Sequence, residues 1–209
     1  MMRARFVLPG VSAVLLVLAI AVTTQGTSRA NDDNGSDASK IQKGFEIAPV
    51  PLNMDGKNPA LVGLGSYIVN AQTDCAGCHS TPTYADNGDP HLGEPEMVST
   101  ATYLSRGGNL FGPFVPRNLT PNSSGRPAGL TLERFLIVMN TGADLKNLAP
   151  PVPTPGHDLL QVMPWPVFSK MSDREKRAIY EYLSAIPCIP GLPNIPATGR
   201  VDRCEPPQP

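Results

Sequence analysis

The pentapeptide Cys75-Ala76-Gly77-Cys78-His79 is the stretch of this sequence that decides its fold. The pattern C-x-x-C-H is the attachment sequence for c-type haem. Two thiols three positions apart on one turn can each add to a vinyl group of the same porphyrin, and the adjoining histidine then lies under the iron. The sequence therefore predicts one covalently bound haem c, attached through Cys75 and Cys78, with His79 as the proximal axial ligand.

Two other kinds of site use a C-x-x-C pair, and both suit this chain less well. A zinc site needs four ligands, commonly arranged as two pairs of Cys or Cys and His, and no second such pair occurs. A thioredoxin-like redox site needs a βαβ context, and no β-rich pattern surrounds Cys75. Haem attachment is therefore the favoured interpretation.

A second axial ligand decides between electron transfer and chemistry at the iron. Met163 is the candidate, because it stands in residues 161–166 (QVMPWP), where two prolines stiffen the backbone and predict a loop rather than a helix. A rigid loop suits a thioether, since this weak neutral ligand has to be held in place. His157 is the alternative. The remaining candidates are Met54, His91, Met97, Met139 and Met171.

The first thirty residues are predicted to be a secretory signal peptide rather than part of the fold. Arg3 and Arg5 precede the apolar run Val11–Val22, and Ser28-Arg29-Ala30 offers small residues before a cleavage site. The alternative is an uncleaved membrane anchor, since Phe6–Val22 approaches the roughly 20 residues that a spanning helix needs. Export predicts an oxidising, periplasmic compartment, in which disulfides are permitted.

Composition and charge indicate one small domain with long loops. Proline and glycine contribute 24 and 19 of the 209 residues, whereas aromatic residues contribute only 6%. A cofactor can supply the centre of a core that side chains alone would leave small. Removal of residues 1–30 changes the net charge from −1 to −4. This balance argues against nucleic acid or an anionic membrane surface as a partner.

Three proline-free segments predict a helical frame, and the fold class is therefore mostly α. The first segment covers 60–72, with apolar residues at helical spacing. The second covers 131–140, with Gly142 as its C-terminal stop. The third covers 172–186 and begins with the capping box Ser172-Asp173-Arg174-Glu175.

The segments outside this frame complete the predicted domain organisation. Residues 31–57 are predicted to be a flexible linker and residues 58–187 the haem domain. Residues 188–209 form a proline-rich tail with the other two cysteines, Cys188 and Cys204. In an exported protein an internal disulfide is the natural interpretation of such a pair. Two free thiols or a link between chains are the alternatives.

The order of these features resembles the monohaem class I cytochromes c: a helix, C-x-x-C-H, long loops, a helix, a methionine loop and a terminal helix. More narrowly, residues 58–187 are similar to one module of the cytochrome c subunits of bacterial membrane-bound alcohol and sugar-acid dehydrogenases. The matching stretches are Gly65-Ser66-Tyr67-Ile68-Val69, Cys75–His79, Gly107-Gly108, Asn118-Leu119-Thr120-Pro121, the Phe135 helix with Thr141-Gly142, and Met163-Pro164-Trp165-Pro166 through Leu183. Those subunits carry three such modules, and this chain carries one C-x-x-C-H.

The resemblance implies a cytochrome c fold, with three to five short helices and long loops around one haem. It also implies ligation by His79 and Met163, and packing of the first helix against the last. A backbone carbonyl from Gly112–Pro116 would hold the His79 ring. Arg117, Asn118 and Trp165 are candidates to bond the haem propionates.

The predicted function is one-electron transfer by a periplasmic carrier, through a haem ligated by His79 and Met163. Its redox partners would be a periplasmic or membrane dehydrogenase and a terminal oxidase. One alternative is a haem enzyme or gas sensor, in which Met163 is displaced and the iron binds a small ligand. Another is a membrane-tethered subunit of a respiratory complex, held by an uncleaved Phe6–Val22.

Overall fold

The structure is a computed structural model, and it describes residues 30–105, 111, 116–144 and 159–191, with the backbone alone for 30–36. Its α-helices are α1 (Ala30–Ile47), α2 (Pro59–Tyr67), α3 (Cys75–His79), α4 (Leu132–Thr141), α5 (Trp165–Phe168) and α6 (Asp173–Ala185). A π-helical turn, Ile68–Gln72, continues α2, and a 3-10 turn covers Pro90–Leu92. Within the described ranges the extended pairings are isolated bridges rather than strands. The predicted mostly α class is confirmed, and the arrangement is compatible with the predicted cytochrome c fold.

The predicted helix ends are confirmed to within one residue by the caps that define them. Asn58 caps α2 with its side chain, and Thr131 does the same for α4. Gly142, with φ of 70°, ends α4. At α6 the Ser172 N–H donates to Glu175 Oε2 (2.8 Å) while the Glu175 N–H donates to Ser172 Oγ (3.2 Å). This reciprocal pair is the predicted capping box.

Helix α2 lies between α1 and α6 and touches both through glycines. A Cβ atom on Gly65 would lie 1.9 Å from the carbonyl oxygen of Ala178 in α6. A Cβ atom on Gly63 would lie 2.7 Å from the carbonyl oxygen of Ile41 in α1. The helices therefore approach backbone to backbone on two sides of α2. Packing of the first predicted helix against the last is confirmed.

A buried polar network joins the π-helical turn to α6. The Asn70 side chain donates from Nδ2 to the Tyr182 hydroxyl (3.1 Å) and accepts from the Tyr103 hydroxyl at Oδ1. The two phenol oxygens lie 2.8 Å apart. Burial raises the pKa of Tyr182, and it raises that of Tyr103 well above its ordinary value. Both phenols are therefore neutral and fully hydrogen-bonded across the range of ordinary pH.

The predicted flexible linker at 31–57 is wrong, because most of this segment folds as α1 and packs on α2. Gly44 has no side chain, and a Cβ there would lie 1.9 Å from the backbone of α2. The Ser66 hydroxyl donates to the Gly44 carbonyl (2.6 Å). At the other end of the contact, Asp37 pairs with Arg174 of α6 at 3.0 Å. These contacts, rather than a broad apolar stripe, hold α1 in place.

The rest of the predicted linker runs along the C-terminal end of α6. The Asn53 N–H donates to the Ala185 carbonyl (2.8 Å), and Val50 is buried in the core. Residues 48–57 thus connect α1 to α2 as an attached segment rather than a free one.

Several sequence predictions lie outside the described residues. These concern the signal peptide or anchor before residue 30, His157, and the tail from 192 with Cys204. The disulfide between Cys188 and Cys204 therefore stays a prediction. Among the helices that the structure describes, none is long and apolar enough to cross a membrane.

Candidate haem-binding site

Both cysteines and the histidine of the motif lie on the single turn of α3. Asp74 Oδ1 accepts from the Gly77 N–H (2.9 Å) and so caps this helix at its start. A helix completes a turn in 3.6 residues, and residues three apart share one face. Cys75 and Cys78 therefore lie on the same face of α3, and both thiols are free. This is the placement that two thioether bonds to one porphyrin require.

The His79 ring is held in the tautomer that a metal ligand needs. His79 Nδ1 lies 2.7 Å from the carbonyl oxygen of Arg117. A carbonyl can only accept, so Nδ1 carries the proton and Nε2 keeps its lone pair. Burial lowers the pKa of His79, and the ring is neutral at pH 7. The predicted carbonyl contact is present, but its acceptor is the residue directly after Gly112–Pro116 rather than a member of that segment.

The electrostatics of the two thiols differ from those of a reactive C-x-x-C pair. Burial raises the pKa of Cys75 to about 11, and Thr73 Oγ1 lies 3.1 Å from its sulfur. Burial also raises the pKa of Cys78, with a further contribution from the Asp74 carboxylate. Redox-active and metal-binding cysteines need thiolates, which a lowered pKa provides. Neutral, half-buried thiols suit attachment to an apolar porphyrin better than the role of a redox-active pair.

Arg117 and Asn118 have partners within the protein. The Arg117 guanidinium forms an ion pair with the Asp144 carboxylate. Asn118 is buried, and its Nδ2 donates to the Ile189 carbonyl (2.8 Å). These contacts fix the loop that presents the Arg117 carbonyl to the imidazole. Bonds from either side chain to a haem propionate stay a prediction.

The methionine loop combines the predicted turn with a short helix. Met163 is half-buried, packs against the core and lies outside any helix. The predicted absence of a helix from 161–166 is wrong at its end, because α5 begins at Trp165 with Pro166 in its first turn. Proline is tolerated there because the first N–H groups of a helix have no intrahelical acceptor. The Trp165 ring packs on Gly142, where a Cβ would lie 2.4 Å from the indole.

One buried hydroxyl close to the motif has no partner. Ser105 Oγ is the sole buried side-chain nitrogen or oxygen in the described ranges without a hydrogen bond. Its neighbour Leu104 donates from its N–H to Ser80 Oγ (2.9 Å), directly after the motif histidine. Buried polar atoms without a hydrogen bond are rare in native cores. The thiols and the free imidazole nitrogen fit haem c.

Sequence reasoning did not single out Asp74 or Ser105. The first was detectable, since an aspartate directly before a short helix is a typical N-cap. Nothing in the sequence marks Ser105, because its isolation arises from the folded loops around it. Within the described part of the chain no group of three or more His, Cys, Asp or Glu side chains could hold a metal ion.

Comparison with known proteins identifies one distant relative. No family model and no solved structure matches the chain. The cytochrome c subunit of a quinone-type alcohol dehydrogenase from Gluconobacter oxydans is 27% identical over 123 residues. The aligned region covers 59% of this chain and 21% of that subunit, so the chain spans about a fifth of its relative's length. The chain is therefore distantly similar to part of a cytochrome c subunit.

Proposed function

We propose that this chain is a periplasmic c-type cytochrome that carries one electron at a time between redox proteins. The observation that carries the proposal is the His79 ring, whose Nδ1 donates to the Arg117 carbonyl and whose Nε2 is free. This nitrogen belongs to the same helical turn as the free thiols of Cys75 and Cys78. Haem c, when bound, supplies the one-electron chemistry of its iron. The distant similarity to a cytochrome c subunit supports the same conclusion.

Each residue of the proposed site has a separate task. Cys75 and Cys78 would hold the porphyrin through thioethers, and His79 would ligate its iron. Met163 would be the second ligand, in a loop that is braced by Pro164 and Pro166 and by the Trp165 ring on Gly142. A thioether is a weak donor, and methionine ligation raises the reduction potential relative to bis-histidine ligation. With His79 and Met163 both as ligands, the iron would have no coordination position for a substrate.

The relative is a subunit of an alcohol dehydrogenase, and we propose a dehydrogenase as the electron donor of this chain. A terminal oxidase is the proposed acceptor. Export through residues 1–30, which we also propose, would bring this chain to both partners at the periplasmic face of the membrane. Fractionation of cells that express the full chain separates a released protein from one tethered by an uncleaved N-terminal segment.

The test is spectroscopic and uses the full chain, expressed with a haem-maturation system. The oxidised protein should show the weak far-red band of a methionine–iron(III) bond. Met163→Ala should abolish this band, whereas Met171→Ala, at a second half-buried methionine packed on the core, should keep it. A pyridine haemochrome assay should give one haem per chain with both vinyl groups saturated, and Cys75→Ala should leave one vinyl group unreacted.

Two results would redirect the proposal. Survival of the far-red band in Met163→Ala would show that another residue is the ligand. A wild-type protein without the band, whose reduced form binds carbon monoxide, would have an open coordination position and favour a haem enzyme or gas sensor.

A further inference from the structure

Residues 82–98, which follow α3, form a small loop that is closed by its own backbone hydrogen bonds. We term it the acidic loop. Its two arms are joined by hydrogen bonds from the Ala85 N–H to the Met97 carbonyl (2.8 Å) and from the Met97 N–H to the Gly88 carbonyl (3.0 Å). A third bond runs from the Ser99 N–H to the Thr83 carbonyl (2.9 Å). The loop is therefore a folded feature with a defined surface.

The acidic loop carries four carboxylates and no compensating lysine or arginine. Its acidic residues are Asp86, Asp89, Glu94 and Glu96, and residues 58–105 contain neither Lys nor Arg. Asp86 and Glu96 are exposed, and neither is in an ion pair with another described residue. The acidic loop itself consequently carries only negative charges at pH 7.

Three of the carboxylates lie close together, since Asp86, Asp89 and Glu94 line one cavity and the Asp89 N–H donates to Glu94 Oε2 (2.9 Å). Burial and then the charges of Glu96, Asp89 and Asp74 raise the pKa of Tyr84. The charge of Asp74 therefore acts on the same phenol as two carboxylates of the acidic loop. Asp74 is also the N-cap of α3.

An apolar centre and a cavity lie within this negative surface. Leu92 is 75% exposed and Met97 46% exposed. An open cavity of about 420 Å³ lies beside Leu92, and its walls include Tyr84, Asp86 and Glu94. The cavity is large enough for a lysine or arginine side chain. A polar rim around an apolar centre is typical of surfaces where proteins dock.

We propose that the acidic loop is the docking surface for a lysine- or arginine-rich face of a redox-partner protein. A basic side chain of the partner enters the cavity, and an apolar residue beside it covers Leu92. Complementary charge steers the partner to the edge of α3, and salt weakens the encounter. The partner's identity as a redox protein rests on the proposed electron-carrier function, whereas its basic character rests on the acidic loop alone.

The test uses NMR and calorimetry to measure how an oligolysine binds to the isotopically labelled, haem-loaded full chain. An oligolysine of about 16 residues is long enough to span several carboxylates. The loop variant combines Asp86→Asn and Glu96→Gln, because both side chains are exposed. A matched control combines Asp55→Asn and Glu133→Gln, two exposed acids elsewhere on the surface. Both variants change the net charge by the same amount, so the comparison isolates position from total charge.

Oligolysine should shift amide signals of the acidic loop and α3, and affinity should fall about fivefold in the loop variant but less than about twofold in the control. Equal losses in the two variants, or shifts confined to other parts of the surface, would overturn the docking proposal. Reduction and reoxidation by small inorganic reagents report separately on the haem. If oligolysine binds at the loop but the haem does not cycle between its reduced and oxidised states, the electron-carrier function is refuted. The acidic loop would then still stand as a docking surface for a basic partner.

Discussion

At the contact between α2 and α6, we predict that one substitution changes stability in the opposite direction to that expected from helix propensity. Gly65 lies in the interior of α2, where alanine is the better helix former by about 1 kcal/mol. On an exposed helix, Gly→Ala would therefore stabilise the protein. In α2 the added Cβ would lie 1.9 Å from the Ala178 carbonyl oxygen and 2.8 Å from Tyr182 Cβ. We expect Gly65→Ala to destabilise the fold.

The size of the effect follows from the distance that the helices must move. Ordinary contact of a Cβ begins near 3.4 Å, so the Cβ and the Ala178 oxygen must separate by a further 1.5 Å. Overpacking of this kind costs about 1–3 kcal/mol. The same movement stretches the bond between Asn70 and Tyr182, worth about 1 kcal/mol. After the gain in helix propensity is subtracted, the free energy of unfolding should fall by about 2 kcal/mol.

The assay is urea unfolding of the haem-loaded protein followed by far-UV circular dichroism. With a denaturant slope of about 1–3 kcal/mol/M, the midpoint should fall by roughly 1 M. Gly125→Ala is the matched control, since a Cβ there meets nothing within 4 Å and only its φ of 70° opposes the change. That control should lose about 1 kcal/mol, the cost of a left-handed alanine.

A midpoint for Gly65→Ala at or above that of the wild type would refute the close approach of the two helices. A loss no larger than that of Gly125→Ala would show that α6 adjusts freely at this point. Either result would mean that the middle of α2 does not require a glycine.

Two further predictions concern the buried phenols and the capping box. Because folding raises the pKa of Tyr103 and Tyr182 above the unfolded value near 10, their stabilising contribution is complete below pH 10 and is lost above it. The free energy of unfolding, measured by urea denaturation from about pH 8 to about pH 11.5, should therefore decline above pH 10. In Tyr182→Phe this decline should be less steep by up to about 1.4 kcal/mol per pH unit. Identical slopes in the wild type and the variant would contradict the burial of the two phenols. Ser172→Ala should lower the free energy of unfolding by about 1 kcal/mol, whereas the control Ser123→Ala, in an exposed turn, should not. Equal urea midpoints for these two variants would show that the capping box does not stabilise α6.

The helix ends could be predicted from the sequence because caps are local. Ser172 with Glu175, Thr131 with its helix, and Gly142 each act within four residues, so the pattern contains the whole interaction. The cysteine and histidine placement follows for the same reason, since a five-residue motif determines which groups share one turn. Local chemistry was sufficient for these elements.

Helix α1 could not be predicted, because the contacts that hold it are distant in sequence. Its residues are mostly polar, and Gly44 in its interior disfavours a helix. The compensating contacts are with Gly63 and Ser66, about twenty residues later, and with Arg174. Similarly, the carbonyl that accepts from His79 lies 38 residues away in a loop. The resemblance placed this carbonyl in Gly112–Pro116, one residue before its actual position at Arg117.

The buried amide of Asn118 links two distant parts of the chain. Its side chain holds the Ile189 carbonyl just beyond α6, and the residue before it supplies the carbonyl that orients the His79 ring. Ile189 itself follows Cys188, the first cysteine of the predicted tail disulfide. A displacement of the chain after α6 is therefore transmitted, through one amide and one peptide unit, to the plane of the imidazole. The orientation of the His79 ring thus depends on how the segment after α6 is held in place.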